Sequence, residues 1–223
     1  MAKARYILGF SVLGVAVIAA VTAAAYSSGG LPDPRNVGEA TPNPSPTATA
    51  DPVTFGVIGD SITAWIGQEA GSWTTYVGND GVVFSEEGWA QNGAPIELME
   101  ANTPEIDADV LVILAGTNNL VSALTTEQKL DLFDRIVDKS GVQEVVISAV
   151  PPYDPNPALS TAWNQELRGY AAAEDYEFVD AWSSSRTAAG TYVAGDTVDG
   201  IHATPEAARA AAASIRLAVL AAD

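Results

Sequence analysis

The sequence predicts an α/β domain built on a parallel sheet, and three observations carry that expectation. Short apolar runs alternate with segments of helical period from about residue 53 to the C-terminus. One run, Val110-Leu111-Val112-Ile113-Leu114, is unbroken, as suits a parallel strand covered on both faces. Helix starts are marked by Thr125-Thr126-Glu127-Gln128, which has capping-box spacing, and by Thr204-Pro205-Glu206, with a cap residue before a first-turn proline.

Val53 to Ile58 reads as a buried first strand, and Gly59 lets the backbone turn sharply where a side chain would clash. Ser61 then stands at the strand's carboxyl end, the edge at which open α/β sheets bind ligands; a serine there reads equally as a helix N-cap. A short helix is expected over Thr63 to Gln68. Trp65 and Trp73 are near enough in sequence to line a cleft, although aromatics in such places more often belong to the core. Gly81 to Ser85 forms the second strand, followed by a Gly88 to Gly93 loop and a helix-like stretch from Ala94 to Ala101.

The third strand, Val110 to Leu114, delivers Gly116-Thr117-Asn118-Asn119 to the same sheet edge as Ser61. There Asn118 either caps the next turn or donates its amide to a developing oxyanion. In the helix that starts at Thr125, Leu130, Phe133, Ile136 and Val137 recur on one face, with Asp131 and Arg135 opposite as an i,i+4 pair. Val145 to Val150 is the fourth strand, stopped by Pro151-Pro152. Pro157 to Tyr170 is a helix with Leu159, Trp163, Leu167 and Tyr170 inward, and Tyr176 to Val179 is the fifth strand. The polar, glycine-containing stretch from Ala181 to Val198 is expected to be mobile and to shape the mouth of a site. The last helix packs through Ala208, Ala211, Ala212, Ile215 and Val219, which sets His202 just before a rigid element.

His202 is the only histidine in the chain, and Asp199 precedes it by three residues in Asp199-Gly200-Ile201-His202. A serine hydroxyl is a poor nucleophile until an imidazole takes its proton, and that imidazole needs a carboxylate to hold its tautomer and stabilise its charged form. Ser61, His202 and Asp199 supply those three roles. Read separately, His202 could cap the sheet edge and Asp199 could be an ordinary turn residue.

Gly59-Asp60-Ser61-Ile62, Gly116-Thr117-Asn118-Asn119 and Asp199-Gly200-Ile201-His202 occur in that order, and together they resemble the SGNH (GDSL-type) hydrolase family from about Val53 to the C-terminus. The resemblance implies a three-layer α/β/α sandwich with a five-stranded parallel sheet, flavodoxin-like in order, and an esterase-type site. It carries the nucleophile onto Ser61, the acid and base onto Asp199 and His202, and the asparagine onto Asn118. The family's oxyanion glycine falls on Gly93 or Gly88; Gly93 is preferred because it immediately precedes the helix-like stretch. Asn119 stands where the family often has an aspartate, a residue that mainly supports the loop. The implied oxyanion hole is the backbone N–H of Ser61, the backbone N–H of Gly93 and the side chain of Asn118.

Composition narrows the chemistry further. The chain has no cysteine, so disulfides and thiolate metal sites are excluded, and one histidine argues against a catalytic zinc; no cofactor is expected. A formal net charge of −18 argues against nucleic acid as partner. Lys3 and Arg5 precede an uncharged stretch from Tyr6 to Tyr26, which reads as an export element with its positive end cytoplasmic. Ala23-Ala24-Ala25 fits a cleavage site, whereas the length of the stretch favours an uncleaved membrane anchor. Residues 27–52, rich in Pro, Ser, Thr and Ala, read as a spacer that buries no core. The expected organisation is therefore anchor or signal (1–26), linker (27–52) and hydrolase domain (53–223).

The function expected is an extracytoplasmic serine esterase that hydrolyses or transfers acyl groups, on acylated envelope sugars, lipids or small esters. The alternative is a catalytically silent envelope-binding module on a membrane stalk, which would have no need of an activated nucleophile.

Overall fold

Valine, isoleucine and leucine fill the segments that become strands, because branched side chains pack well on a pleated surface buried from both sides. In the computed structural model, which describes residues 51–64, 72–78 and 81–223, these strands are β1 (Val53–Gly59), β2 (Val82–Ala90), β3 (Val110–Leu114), β4 (Glu144–Ser148) and β5 (Glu177–Val179). All pairs are parallel and the spatial order is β2-β1-β3-β4-β5. The helices are α1 (Ser61–Ala64), α2 (Ile96–Asn102), α3 (Thr126–Ser140), α4 (Pro157–Glu174) and α5 (Pro205–Ala222).

The period of two along β3 sorts the layers. Val110, Val112 and Leu114 point to one face, with Phe55, Val57, Trp73 and the alanine-rich side of α5; Leu111 and Ile113 point to the other, with α2, α3 and α4. All five β3 residues are fully buried. Burial of each stabilises by about 1.5–3 kcal/mol, so this strand outweighs any single exposed ion pair, worth about 1 kcal/mol or less. The result is the three-layer α/β/α sandwich with five parallel strands expected above.

β2 departs from expectation. It runs to Ala90, so Gly88 lies inside the sheet opposite Val57 rather than in a loop. The β1–β2 register shifts between Phe55 and Val57, and Ser85 Oγ donates to the Phe55 carbonyl at 3.0 Å beside that irregularity. β2 is an edge strand, which explains why the polar Ser85-Glu86-Glu87 can continue it past the Ser85 end expected from sequence. Gly88 has φ 115°, and a Cβ there would stand 1.9 Å from the Val57 carbonyl oxygen, so only glycine fits.

Several local expectations are also revised. Gly59 is required by the close approach of Thr63, whose Oγ1 would lie 2.4 Å from an added Cβ, rather than by an unusual φ. Trp73 is buried in the core: it stacks on Phe55 at 6.1 Å and donates from its indole N–H to Thr63 Oγ1 at 3.1 Å. Trp65, most of the Thr63 to Gln68 helix and the whole of residues 1–50 lie outside the described residues. Among the described residues no helix is long and apolar enough to cross a membrane.

The helix starts divide. Thr125 caps α3 and forms the full capping box with Gln128, whereas Thr204 makes no capping bond and its Oγ1 is buried without a partner. Arg135 reaches Glu100 of α2 at 3.6 Å, so it ties two helices together instead of serving α3 through Asp131. On α4, Trp163, Leu167 and Tyr170 are buried, and Leu159 is only half-buried.

Candidate active site

In a 2-1-3 strand order the chain leaves β1 and β3 in opposite directions, and the crevice between their carboxyl ends is where such sheets bind ligands. Ser61 follows β1 and Asn118 follows β3, so both stand at that crevice.

Asp60 decides what Ser61 does. Its Oδ1 accepts the Ile62 N–H at 2.9 Å and its carbonyl accepts the N–H groups of Thr63 and Ala64, so Asp60 is the N-cap of α1. The capping reading of Ser61 is thereby set aside. Ser61 Oγ lies instead 3.0 Å from His202 Nε2, and His202 Nδ1 lies 2.7 Å from Asp199 Oδ2. A carboxylate only accepts, so Nδ1 carries the proton donated to Asp199 and Nε2 is left to accept from the serine hydroxyl. Partial burial works to raise the Asp199 carboxyl, but the N–H groups of His202 and Ile201 and the His202 ring outweigh it and hold it below the usual carboxylate value. It is therefore ionised when it faces the ring.

The segment carrying Asp199 and His202 is held from several sides. Asp199 Oδ1 accepts the N–H groups of Ile201 (2.9 Å) and His202 (2.8 Å). Thr197 Oγ1 donates to the His202 carbonyl at 2.8 Å and accepts from Gly200 N–H at 2.8 Å. From the β4–α4 connection, the Asp154 N–H donates to the Gly200 carbonyl at 2.9 Å, while its Oδ1 accepts the Tyr192 N–H at 2.7 Å. The Tyr192 hydroxyl donates to the Ile201 carbonyl at 3.0 Å, and burial pushes its pKa up so that it stays a neutral donor. The stretch from Ala181 to Val198, expected to be mobile, is thus tied down by long-range bonds. Arg186 adds to them through Asp180 at 2.6 Å and the Val150 carbonyl at 3.2 Å.

The Gly116 to Asn119 turn is shaped by α4. The Trp163 indole N–H donates to the Ala115 carbonyl at 3.1 Å, and a Cβ on Gly116, at φ 117°, would meet that nitrogen at 2.0 Å. Asn118 is exposed and donates from Nδ2 to the Ala94 carbonyl at 3.0 Å and toward Asp60 Oδ2 at 3.4 Å. That bond joins the turn after β3 to the turn that contains Gly93. Gly93 stands just past the carboxyl end of β2, with φ 74° and open space where a Cβ would be. Gly88, by contrast, is built into the sheet four residues before the level of Ser61, paired with Val57.

Asn119 is buried and does more than support its own loop. Its Oδ1 accepts the Ile96 N–H at 2.8 Å and its Nδ2 donates to Glu97 Oε2 at 2.7 Å, which caps α2 from 23 residues away; Pro95 at the cap position has no side-chain bond to offer. The sequence reading also assigned no role to Asp60, Asp154 or Tyr192, and it placed Trp163 inward on its helix without a role at the site. Of these, Asp60 alone carried a local signal, an aspartate directly before a helix start. Among the described residues no group of three or more His, Cys, Asp or Glu side chains could hold a metal ion.

A parallel doubly wound sheet with serine and imidazole in contact at its carboxyl edge is an arrangement in which a hydroxyl can be activated as a nucleophile. Residues 57–210 match the family model of the GDSL-like lipase/acylhydrolase family, and the chain belongs to that family of hydrolases. Its fold is similar to that of a GDSL-like lipase from Bacteroides thetaiotaomicron (TM-score 0.60, 18% identity, covering 79% of this chain and 94% of the other). It is also similar to TesA (TM-score 0.57, 19% identity, 76% and 99% covered). A third similar fold is that of a variant acetyl-xylooligosaccharide esterase from Geobacillus (TM-score 0.58, 14% identity, 75% and 94% covered). No curated protein matches the chain.

Proposed function

We propose that the protein is a serine esterase in which Ser61 attacks an ester carbonyl, His202 takes the serine proton and Asp199 stabilises the resulting imidazolium. The tetrahedral oxyanion is held by the backbone N–H groups of Ser61 and Gly93 and the side-chain amide of Asn118. The carbon–oxygen bond to the alcohol then breaks, and His202 returns the proton to the departing alkoxide. Water, or a second alcohol in a transfer reaction, attacks the acyl-serine by the same steps in reverse. Serine, imidazole and carboxylate supply this chemistry without a cofactor.

The observation that carries the reading is the unbroken line from Asp199 Oδ2 to His202 Nδ1 (2.7 Å) and from His202 Nε2 to Ser61 Oγ (3.0 Å), made by residues 141 positions apart. The substrate we propose is an acyl ester of a sugar or lipid in the cell envelope. Ester chemistry follows from the family, and one similar fold belongs to an acetyl-xylooligosaccharide esterase. We propose further that the domain works outside the cytoplasm, exported by the stretch from Tyr6 to Tyr26; the basic Lys3 and Arg5 before it support that orientation.

The test is labelling of the full chain with a fluorophosphonate, followed by peptide mass spectrometry. Ser61 is expected to carry the adduct, and Ser61→Ala to abolish both labelling and ester hydrolysis. Labelling at another serine, or unchanged hydrolysis by Ser61→Ala, overturns the assignment.

A further inference from the structure

Asp60 has no place in the mechanism above, yet among the described residues it is the one charged side chain with no exposed surface. Its two oxygens have different partners. Oδ1 caps α1 through the Ile62 N–H at 2.9 Å, and Oδ2 faces Asn118 Nδ2 at 3.4 Å. The cap needs only one oxygen, and a serine or asparagine would supply it. Burying a charged second oxygen is costly. Burial pushes the carboxyl up to about 6, against the pull of the Ile62 N–H, the Thr117 hydroxyl and the His202 ring, so it is still ionised at slightly alkaline pH.

What the second oxygen controls is the amide of Asn118. The carbonyl and NH2 ends of an asparagine have nearly the same shape, so hydrogen-bond partners alone decide which way round the group sits. Here both neighbours are acceptors: the Ala94 carbonyl at 3.0 Å and the Asp60 carboxylate at 3.4 Å. Each would repel Asn118 Oδ1, so Nδ2 is held on their side. The two bonds are unequal, and the one to Asp60 is at the weak end of the useful range.

We propose, on the reading of Asn118 as an oxyanion donor, that Asp60 is a positioning residue that orients the Asn118 amide. It keeps Nδ2 toward the site and parks one N–H on a long bond, from which that N–H turns to the substrate oxygen as negative charge develops. The bond to Ala94 stays in place meanwhile and anchors the amide. The second buried oxygen thus guards against a flipped amide that would present a carbonyl to the oxyanion.

The experiment uses Asp60→Asn and Asp60→Ser in the full chain, each with and without Asn118→Ala. The readouts are kcat and KM on p-nitrophenyl acetate, the rate of fluorophosphonate labelling and Tm at pH 8. Asp60→Asn keeps a capping oxygen but turns a donor toward Asn118. It is expected to lower kcat about 10²-fold, the scale of a lost oxyanion donor, with KM changed less than about threefold and labelling slowed. Asp60→Ser keeps the cap and removes the second acceptor, for a loss of about tenfold with Tm no lower than the wild type. In the Asn118→Ala background neither substitution should lower kcat further, since a residue that acts only through another has no separate effect. Wild-type kcat in Asp60→Asn, or losses that add fully to that of Asn118→Ala, overturns the proposal. Failure of the esterase reading itself looks different: it shows as activity or labelling that survives Ser61→Ala, whatever the Asp60 variants do.

Discussion

Asp199 and His202 are joined twice. One carboxylate oxygen accepts the backbone N–H of His202 at 2.8 Å while the other faces its ring Nδ1 at 2.7 Å. A three-residue spacing thus fixes the loop and the imidazole with the same side chain. Asp199→Asn should retain the loop bonds through its remaining oxygen but present a donor to Nδ1, which favours the tautomer with its proton on Nε2. That proton then points at Ser61, and kcat should fall by about 10³ to 10⁴-fold with little change in Tm. Steady-state kinetics and a thermal melt check this together, and a fall in kcat below tenfold would remove Asp199 from the proposed relay.

The two candidate oxyanion glycines should respond oppositely to an added methyl group. Gly88→Ala places a Cβ 1.9 Å from a backbone oxygen of the neighbouring strand, so soluble folded protein should be lost. Gly93→Ala meets open space at φ 74° and keeps its N–H, so it should fold at a cost of about 1–2 kcal/mol. Expression and circular dichroism distinguish the two; a folded Gly88→Ala protein would contradict the register of β1 and β2.

Asn119→Asp should destabilise the protein by about 1 kcal/mol, because it replaces a donor to Glu97 Oε2 at 2.7 Å with a second carboxylate. Adding Glu97→Gln should recover most of the loss, since the amide can donate back. Urea unfolding of the two variants measures the coupling, and independent effects would mean that Asn119 and Glu97 do not act as a pair.

Asp60 makes stability depend on pH in a direction unusual for a carboxylate. Its folded pKa is raised from the ordinary 3.8 to about 6 by burial, so the folded state binds the proton more tightly than the unfolded chain. Stability contributed by this group is full below about pH 4 and is lost as pH rises through about 6. That difference corresponds to about 3 kcal/mol. Asp60→Asn should therefore melt higher than the wild type at pH 8, with the gap closing toward pH 4. Melting curves at the two pH values test this, and a gap that does not change with pH would show that the buried charge is not its source.

Much of the architecture was legible because it rests on local pattern. The unbroken run of β3 implied two covered faces, and all five residues are buried from both layers. The Thr125 to Gln128 spacing implied a capping box, which forms in full because both partners lie within one turn. At Thr204 the logic held for position only, since this residue is the N-cap before Pro205 but its hydroxyl sits buried and unbonded; at β2 it failed, because an edge position allowed polar residues to remain in the strand. It failed also for the stretch from Ala181 to Val198. Polarity suggested mobility there, but a tyrosine at 192 finds an aspartate 38 residues away.

By itself the sequence determined the alternation of strands and helices, the one histidine available as a base, and the order of the three short blocks that carry Ser61, Asn118 and His202. These are properties of residue type and spacing, which the chain carries whatever its shape. Only the tertiary structure decided which neighbour would cap α1 and which would meet the imidazole. Asp60 and Ser61 are adjacent and both can cap a helix, so the choice depends on where β1 ends relative to a loop 141 residues further on. It likewise decided that Gly93 rather than Gly88 stands at the sheet's carboxyl edge, because register is a relation between two strands and neither strand's sequence contains it.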